Sequence, residues 1–157
     1  MTELERLTII DQIRTVKARY FRALDTKNWA MLGSVLCPDV VCDYRNGAVD
    51  PSTGVNHVPG PTEAVLHGAE EVVASLQQAL SPLVTVHMGH SADIEVTDER
   101  HATGIWGMSD ILRLSDERPI RKLFGHGFYH DLFERQSTGW MIKTLKLVRL
   151  SVDVVEG

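Results

Sequence analysis

The stretch VTVHMGHSADIEV, which covers Val84–Val96, decides the fold, because apolar and polar residues alternate along almost all of it. A period of two over this length predicts a β-strand with two unlike faces. The even positions form an apolar face that includes His90, and His87 lies on the opposite face. Only one of the two histidines is expected to face any given cavity, and alternation alone does not decide which.

Three more segments with the same period follow and complete a predicted sheet. They are separated by turn-forming residues and cover Ala102–Leu114, Lys122–Gln136 and Trp140–Val154. Short turns between consecutive strands are typical of antiparallel neighbours. We therefore expect a four-stranded antiparallel meander in the second half of the chain.

The first half of the chain predicts helices and short strands. Helical spacing of apolar residues or short apolar runs indicate, in chain order, a helix at Thr2–Leu24, a helix at Asn28–Leu36 ended by Pro38, strands at Val40–Tyr44 and Ala64–His67, and a helix at Ala69–Leu80. Helices followed by strands predict an α+β fold. We expect a curved, mostly antiparallel sheet that wraps around the N-terminal helices and forms a cone with an internal apolar pocket.

The segment Arg45–Thr62 interrupts this pattern with three glycines and three prolines and has no periodicity. A loop of this length is uncommon inside a compact domain and often covers a binding site. The alternative is a tolerated surface insertion. The sequence supports both interpretations equally.

Length and composition exclude several classes of protein. The 157 residues suffice for one core, so we expect a single domain over residues 1–157. Sixteen Lys and Arg against 21 Asp and Glu give a net charge of -5, which argues against binding to nucleic acid or an anionic membrane. No segment has the apolar run of a signal peptide or membrane helix. The two cysteines, Cys37 and Cys42, cannot form a disulfide scaffold, so a cytoplasmic protein is expected.

Two polar residues of the first predicted helix are candidates for a functional site. Tyr20 lies on the apolar face of the helix, where its hydroxyl needs a partner, although plain core packing is the more frequent role. Asp25 follows about 140° around an ideal helix, so the two residues share a face only if the helix ends there. Asp25 is equally suited to cap the following helix at Asn28.

Two charged residues lie on apolar faces of predicted strands. Asp110 shares a face with Trp106, and Arg149 shares one with Leu147. A lone charge is costly to bury, so each of these residues is expected to have a partner. Arg149 is suited either to an internal ion pair or to binding a substrate oxygen.

The remaining histidines and motifs do not predict a metal or cofactor. His126 and His130 share a face with Phe128, and they either line the interior or pack against it. His87 and His90 face opposite ways, so no ligand spacing supports zinc and we expect no metal. The chain has no phosphate-binding glycine loop, nucleophile elbow or dinucleotide fingerprint. An enzyme with this sequence would transfer protons in a shielded pocket without a cofactor.

Several short motifs are shared with one known superfamily. They are Arg19–Asp25 followed by Trp29, His87–His90 followed by Ile94–Val96, Ala102–Gly104 with Trp106 and Asp110, Gly127–Tyr129 with Asp131, Gly139-Trp140 and Val148-Arg149. With these motifs, over about residues 12 to 152, the chain resembles the nuclear transport factor 2-like and SnoaL-like superfamily, which includes polyketide cyclases. Within it the chain is most similar to bile-acid 7α-dehydratase, and Tyr44 is similar to a tyrosine of scytalone dehydratase. The loop after Gly47 is longer than in the bile-acid enzyme, which implies a different substrate.

The resemblance implies catalysis by His87, Asp25 and Tyr20, with Arg149 and Tyr44 in contact with the substrate. Further substrate contacts are expected from Asp110, Trp106 and His130, which share faces with the predicted interior.

The implied activity is that of a cofactor-independent dehydratase, a lyase that removes water from a hydrophobic steroid-like or polycyclic hydroxy-ketone. A histidine side chain has an ordinary pKa near 6.5 and can act as base and then as acid. The aspartate would orient it, and the tyrosine would donate to the developing oxyanion. Alternatives are an isomerase, a cyclase or a dehydrohalogenase of the same superfamily, and a non-catalytic ligand-binding or protein-assembly module.

The expected partners are a small hydrophobic substrate and further copies of the chain, with no nucleic acid and no membrane. The apolar face of Val84–Val96 needs cover, and a sheet whose inner side holds a pocket has its other side free. We therefore expect a homodimer or a homotrimer.

Overall fold

The computed structural model describes residues 1–58, 64–115 and 118–157. Within these ranges the chain forms three helices and six strands, which are α1 (Glu3–Thr26), α2 (Trp29–Ser34), β1 (Leu36–Asp43), β2 (Val65–His67), α3 (Ala69–Leu80), β3 (Val84–Val96), β4 (His101–Arg113), β5 (Ile120–Gln136) and β6 (Gly139–Glu156). The predicted α+β fold, with a curved sheet around N-terminal helices, is confirmed. None of the described helices is long and apolar enough to cross a membrane.

Helix α1 has clear signals at both ends. Thr2 caps its N-terminus, since its hydroxyl accepts the backbone N–H of Glu5 and the Glu5 carboxylate accepts the backbone N–H of Thr2. Its apolar stripe includes Ile13 and Leu24, both almost fully buried against the sheet. At the C-terminus Lys27 turns the chain in a left-handed conformation.

The six strands lie in the order β2-β1-β6-β5-β4-β3. The predicted antiparallel meander of β3 to β6 is confirmed, and β1 extends the sheet by pairing parallel to β6. Pro38, which was expected to end a helix, lies inside β1 instead. The register between β1 and β6 shifts between Leu36 and Val41, so the proline occupies an irregular stretch where no ladder donor is needed.

Strand β3 does not keep one apolar face along its whole length. Its register with β4 shifts between Gly89 and Ala92, and this irregularity exchanges the two faces. Before the shift Val86 and Met88 point outward and are 42% and 44% exposed, whereas after it Ile94 packs partly buried against the core. The prediction that all even positions share one face was therefore wrong.

The convex side of the sheet carries many exposed apolar side chains. We call this surface the outer sheet face; its large apolar members are Val84, Val86, Met88, Ile105, Phe128, Leu132, Val148, Leu150 and Val155. The concave side packs against α1 and forms the main core. Close packing there requires Gly89, because a Cβ atom at this position would lie 2.4 Å from the Phe21 ring.

The described part of the long loop, residues 45–58, folds over the open end of the cone. It has turns and one isolated bridge between Val49 and Asn56. Gly47, Ala48 and Val58 line a cavity beneath it. The rest of the predicted loop, residues 59–62, lies outside the described residues.

Candidate active site

A cavity of about 250 Å³ lies between α1, α3, the concave side of the sheet and the loop of residues 45–58. Leucines form much of its wall, namely Leu24, Leu76, Leu80, Leu83, Leu112 and Leu147. Six polar side chains that are largely shielded from water reach it, from Tyr20, Tyr44, His87, Asp110, Tyr129 and Arg149, and four partly buried or exposed polar residues also line it, namely Arg45, Asn56, Gln78 and Arg118. An apolar enclosure with a few converging polar groups is typical of a site for a small organic molecule.

Asp25 and His87 form the most closely coupled pair at this cavity. Asp25 Oδ1 lies 2.6 Å from His87 Nδ1, and Asp25 Oδ2 accepts the backbone N–H of His87 at 2.8 Å. Thr85 donates its hydroxyl to Asp25 Oδ1 at 3.0 Å. The His87 side chain is 6% exposed and that of Asp25 is 25% exposed, so both are partly shielded from water.

The alternative role of Asp25 as a helix cap is wrong. The cap of α2 is Asn28, whose side-chain oxygen accepts the backbone N–H of Met31 at 3.0 Å. Helix α1 continues to Thr26, and its last turn packs on β3, which brings Asp25 to His87. Their separation of 62 residues in the chain is closed by this packing and not by any local motif.

The hydrogen bonds to Asp25 indicate which ring nitrogen of His87 carries the proton. Burial acts to raise the pKa of Asp25, but hydrogen bonds from the ring and backbone of His87 and from Thr85 outweigh it and hold the pKa below its ordinary value. A carboxylate at Nδ1 favours the tautomer in which Nδ1 carries the proton. Nε2 of His87 then presents a lone pair to the cavity.

Two tyrosines at the cavity share a hydrogen bond. The hydroxyl oxygens of Tyr20 and Tyr44 lie 2.8 Å apart, and both side chains are buried. Burial raises the pKa of each well above its ordinary value, so both remain protonated at neutral pH. Tyr129 is hydrogen-bonded to Tyr20 and the Cys42 thiol to Tyr44, so the two hydroxyls belong to a small buried network at the cavity.

Asp110 and Arg149 form a buried ion pair beside His87. Arg149 Nη2 lies 2.7 Å from Asp110 Oδ2, with both side chains 3% exposed, and Asp110 is the cross-strand neighbour of His87. Arg149 Nε also donates to the carbonyl of Gly47 at 2.7 Å. Arg149 therefore serves as an internal ion-pair partner and ties the long loop to the sheet.

A second buried ion pair, which the sequence did not predict, lies behind the tyrosines. Lys17 Nζ is 2.6 Å from Asp131 Oδ2, and the side chains are 1% and 0% exposed. Four aromatic rings surround the ammonium group at 3.9 to 5.5 Å, those of Tyr20, Phe21, Trp106 and Tyr129. The sequence does contain a signal for this pair, because Lys17 lies on the apolar face of α1 and Asp131 lies on the apolar face of β5.

Most of the predicted site residues lie at the cavity. Tyr20, Tyr44, His87, Asp110 and Arg149 line it, and Asp25 binds His87 from behind. Tyr129 lines it as well and was not among the predicted site residues. Its inward direction follows from the alternation of side chains along β5, in which the odd-numbered residues around Tyr129 are buried.

Two predicted substrate contacts do not reach the cavity. Trp106 points inward but packs on Phe133, with ring centroids 5.5 Å apart, and does not line the cavity. His130 is exposed on the outer side, because its parity along β5 is opposite to that of Tyr129. His126 is exposed on the same side, and His90 is exposed and lies 3.1 Å from the Ser109 hydroxyl. These corrections leave His87 as the histidine of the cavity.

In the described ranges no group of three or more His, Cys, Asp or Glu side chains is arranged to hold a metal ion. The polar groups at the cavity that are shielded from water are one imidazole, one buried ion pair and three phenols. This set is suited to moving protons and to stabilising an oxyanion.

Comparison with known families identifies the class of the protein. The family model of the SnoaL-like domain matches residues 5–146, so the chain belongs to the SnoaL-like domain family.

Individual relatives are distant in sequence. A probable cyclase of Gibberella zeae is 20% identical over 138 residues, which is 88% of this chain and 89% of the relative. A LinA-type3 hexachlorocyclohexane dehydrochlorinase from Novosphingobium barchaimii superposes with a TM-score of 0.78 at 14% identity, covering 99% of this chain and 96% of the other. A candidate scytalone dehydratase from Novosphingobium aromaticivorans superposes with a TM-score of 0.76 at 17% identity, covering 99% and 93%. At such identities the two structural likenesses establish the fold alone.

Proposed function

We propose that this protein is a cofactor-independent enzyme of the lyase or isomerase type, which removes a proton from a carbon next to a carbonyl group. The proposal rests on one observation. Asp25 Oδ1 is hydrogen-bonded to His87 Nδ1 at 2.6 Å, and the imidazole lines a largely apolar cavity. A distance of this kind between a base and its orienting carboxylate is the arrangement that general-base catalysis requires. The cyclase, dehydratase and dehydrochlorinase among the similar proteins support the same class of chemistry.

The preferred reaction is the dehydration of a β-hydroxy ketone. Nε2 of His87 takes the proton from the carbon between the carbonyl and the hydroxyl-bearing carbon, and the electron pair moves into an enolate. The protonated imidazole then gives the same proton to the leaving hydroxyl, which departs as water and leaves an α,β-unsaturated ketone. Asp25 stabilises the positive imidazolium between the two steps.

The enolate oxygen would be bound by the pair of Tyr20 and Tyr44. Their hydroxyls are close enough to each other, at 2.8 Å, for one to polarise the other as a donor. Because burial keeps both protonated, the pair donates a hydrogen bond without losing a proton to the solvent. A donor directed at a developing oxyanion is worth roughly 10²–10³ in rate.

The volume of the cavity limits the size of the substrate. Its volume is about 250 Å³. A cavity of roughly 150 Å³ holds benzene, so this one suits a molecule of one or two rings better than a steroid with four. The six leucines of the wall favour a hydrophobic ring system, and the polar residues of the lining suit its oxygen atoms.

The test compares ring number directly. The parent protein is incubated in D₂O with three β-hydroxy ketones, 3-hydroxycyclohexanone, 3-hydroxy-1-decalone and a 5-hydroxy-3-oxo steroid. Proton NMR follows exchange at the carbon next to the carbonyl, and ultraviolet absorbance follows formation of the unsaturated ketone. We expect exchange and elimination with the one- and two-ring compounds, and a loss of about 10²–10⁴ in rate for His87→Ala.

His126→Ala is the matched control, because it removes an exposed histidine from the outer side of the sheet and should leave the rate unchanged. Exchange without elimination would point to an isomerase or cyclase that uses the same proton abstraction. Absence of both reactions with all three compounds would remove the dehydratase proposal. If the compounds still bound, the non-catalytic ligand-binding alternative would replace it.

A further inference from the structure

Lys27 has an unusual backbone conformation for a lysine. It ends α1 with φ 57° and ψ 31°, and it is the one non-glycine residue with positive φ in the described ranges. Glycine or asparagine is usual at this position of a helix, because a Cβ atom is strained there. Other residues persist in this conformation where neighbouring contacts hold them, which is frequent at functional sites.

The side chain of Lys27 begins a chain of hydrogen bonds to the candidate base. Its Nζ donates to Thr85 Oγ1 at 2.8 Å, and the Thr85 hydroxyl donates to Asp25 Oδ1 at 3.0 Å. The same carboxylate oxygen lies 2.6 Å from His87 Nδ1. Thr85 is 4% exposed, so water hardly competes for its hydroxyl.

We propose that Lys27 is a positioning residue for His87, acting through Thr85 and Asp25. This inference rests on the proposed function of His87 as the base. A threonine hydroxyl has one proton, and the ammonium group occupies an acceptor position of Thr85, so the proton is directed to Asp25. Thr85 and His87 Nδ1 both bind Asp25 Oδ1, so the bond from Thr85 helps to fix the oxygen that orients the ring, and the ring keeps the orientation that presents Nε2 to the cavity.

The charge of Lys27 contributes a second effect. The charged groups around His87 are Asp25 and Lys27 at the end of α1, Asp110 opposite on β4, and Arg149 on β6, which is paired with Asp110. The ammonium group of Lys27 therefore lies on the same chain of hydrogen bonds as the Asp25 carboxylate and adds a positive charge beside it.

A purely structural role of Lys27 makes a different prediction. Its Nζ also donates to the carbonyl of Leu24 at 3.1 Å, a common way to satisfy the last turn of a helix. If that bond were its whole function, Lys27→Gly would suit the left-handed backbone and leave His87 unaffected.

The experiment compares the ¹⁵N shifts of the two ring nitrogens of His87 in the free proteins at one fixed pH, which report the tautomer of the ring, so it needs no substrate. The variants are Lys27→Gly and Thr85→Val, which break the chain of bonds at two points. Thr85→Ser keeps the hydroxyl, and Lys143→Met removes a lysine that pairs with Asp39 on the surface. We expect both ring nitrogens to move toward the averaged shifts of mixed tautomers in Lys27→Gly and in Thr85→Val, because a less firmly held Asp25 favours the Nδ1–H form less. The shifts should stay unchanged in both controls.

Kinetics provide the second measurement. On whichever of the hydroxy-ketones exchanges its proton, Thr85→Val should lower kcat/KM about tenfold with KM little changed, and Thr85→Ser should restore it. Unchanged ring ¹⁵N shifts of His87 in both Lys27→Gly and Thr85→Val would overturn the inference. A parent protein that exchanges no C–H proton would instead overturn the proposed function, while the ring shifts would still show whether Lys27 acts on His87.

Discussion

Lys17 and Asp131 form a buried pair whose single and double replacements should have strongly non-additive effects on the free energy of unfolding. Each single replacement should destabilise the protein, and the double replacement should not. The two groups lie 2.6 Å apart with side chains 1% and 0% exposed. Burial lowers the pKa of Lys17 and raises that of Asp131, while the opposite charge of each partner counteracts these shifts. Neither group has another hydrogen-bond partner in the described structure. Each charge therefore depends on the other.

The magnitude follows from the cost of an unpaired buried charge. Lys17→Met or Asp131→Leu alone leaves one such charge and should lower the free energy of unfolding by about 3–5 kcal/mol. For a chain of 157 residues this corresponds to a fall in Tm of roughly 6–20 °C. The double variant places a thioether among four aromatic rings and a leucine of similar outline beside it, so its stability should return close to that of the parent protein.

The assay is urea unfolding of all four proteins at pH 7, monitored by tryptophan fluorescence and circular dichroism. The exposed pair of Glu3 and Arg6, at 2.7 Å but 68% and 41% exposed, is the control, and its removal should cost less than about 0.5 kcal/mol. Single variants that cost less than about 1 kcal/mol each, or a double variant whose loss equals their sum, would refute the reasoning.

Three further predictions concern two glycines and the outer sheet face. Gly125→Ala should lower the free energy of unfolding by about 1–3 kcal/mol, because a Cβ atom there would lie 2.2 Å from Arg149 Nη1 and 2.3 Å from Asp110 Oδ1. Gly33→Ala, in α2 with its nearest new contact at 3.8 Å, should instead raise it by about 0.5–1 kcal/mol in the same urea assay. A Gly125→Ala variant as stable as the parent would contradict the close fit of the ion pair. We also propose that the outer sheet face mediates self-association, so that Met88→Glu with Leu150→Glu lowers the mass measured by light scattering to that of a 17.5 kDa monomer. A monomeric parent protein at the same micromolar concentration would contradict this.

The elements were predictable wherever a local period decided them. Strand β3 has the predicted bounds Val84–Val96, and α3 has the predicted bounds Ala69–Leu80, because alternation and helical spacing are read over a few neighbouring residues. The pairing of β1 with β6 was not predictable. A short apolar run such as Val40–Tyr44 carries no information about which strand it joins or in which direction.

The site was predictable in its residue types but not in its geometry. The family resemblance suggested Tyr20, Asp25 and His87 together, while the residues themselves left Asp25 open as a helix cap. Packing of α1 on β3 decided this, since it brings Asp25 to a strand 62 residues further along the chain. The prediction that His130 contacts the substrate was wrong for a similar reason. Alternation along a strand assigns residues to two faces but does not say which face is the interior.

By itself the sequence determined the order of helices and strands, the antiparallel meander and the alternation that separates His87 from His90. These properties depend on backbone periods of 2 and 3.6 residues, which are local. Only the tertiary structure decided that the register of β3 shifts after Gly89, that Lys17 pairs with Asp131, and that Lys27 reaches Thr85. Each of these features depends on residues that are distant in the chain. The contacts are stable because water is excluded between the sheet and the helix, and these two surfaces meet only in the folded protein.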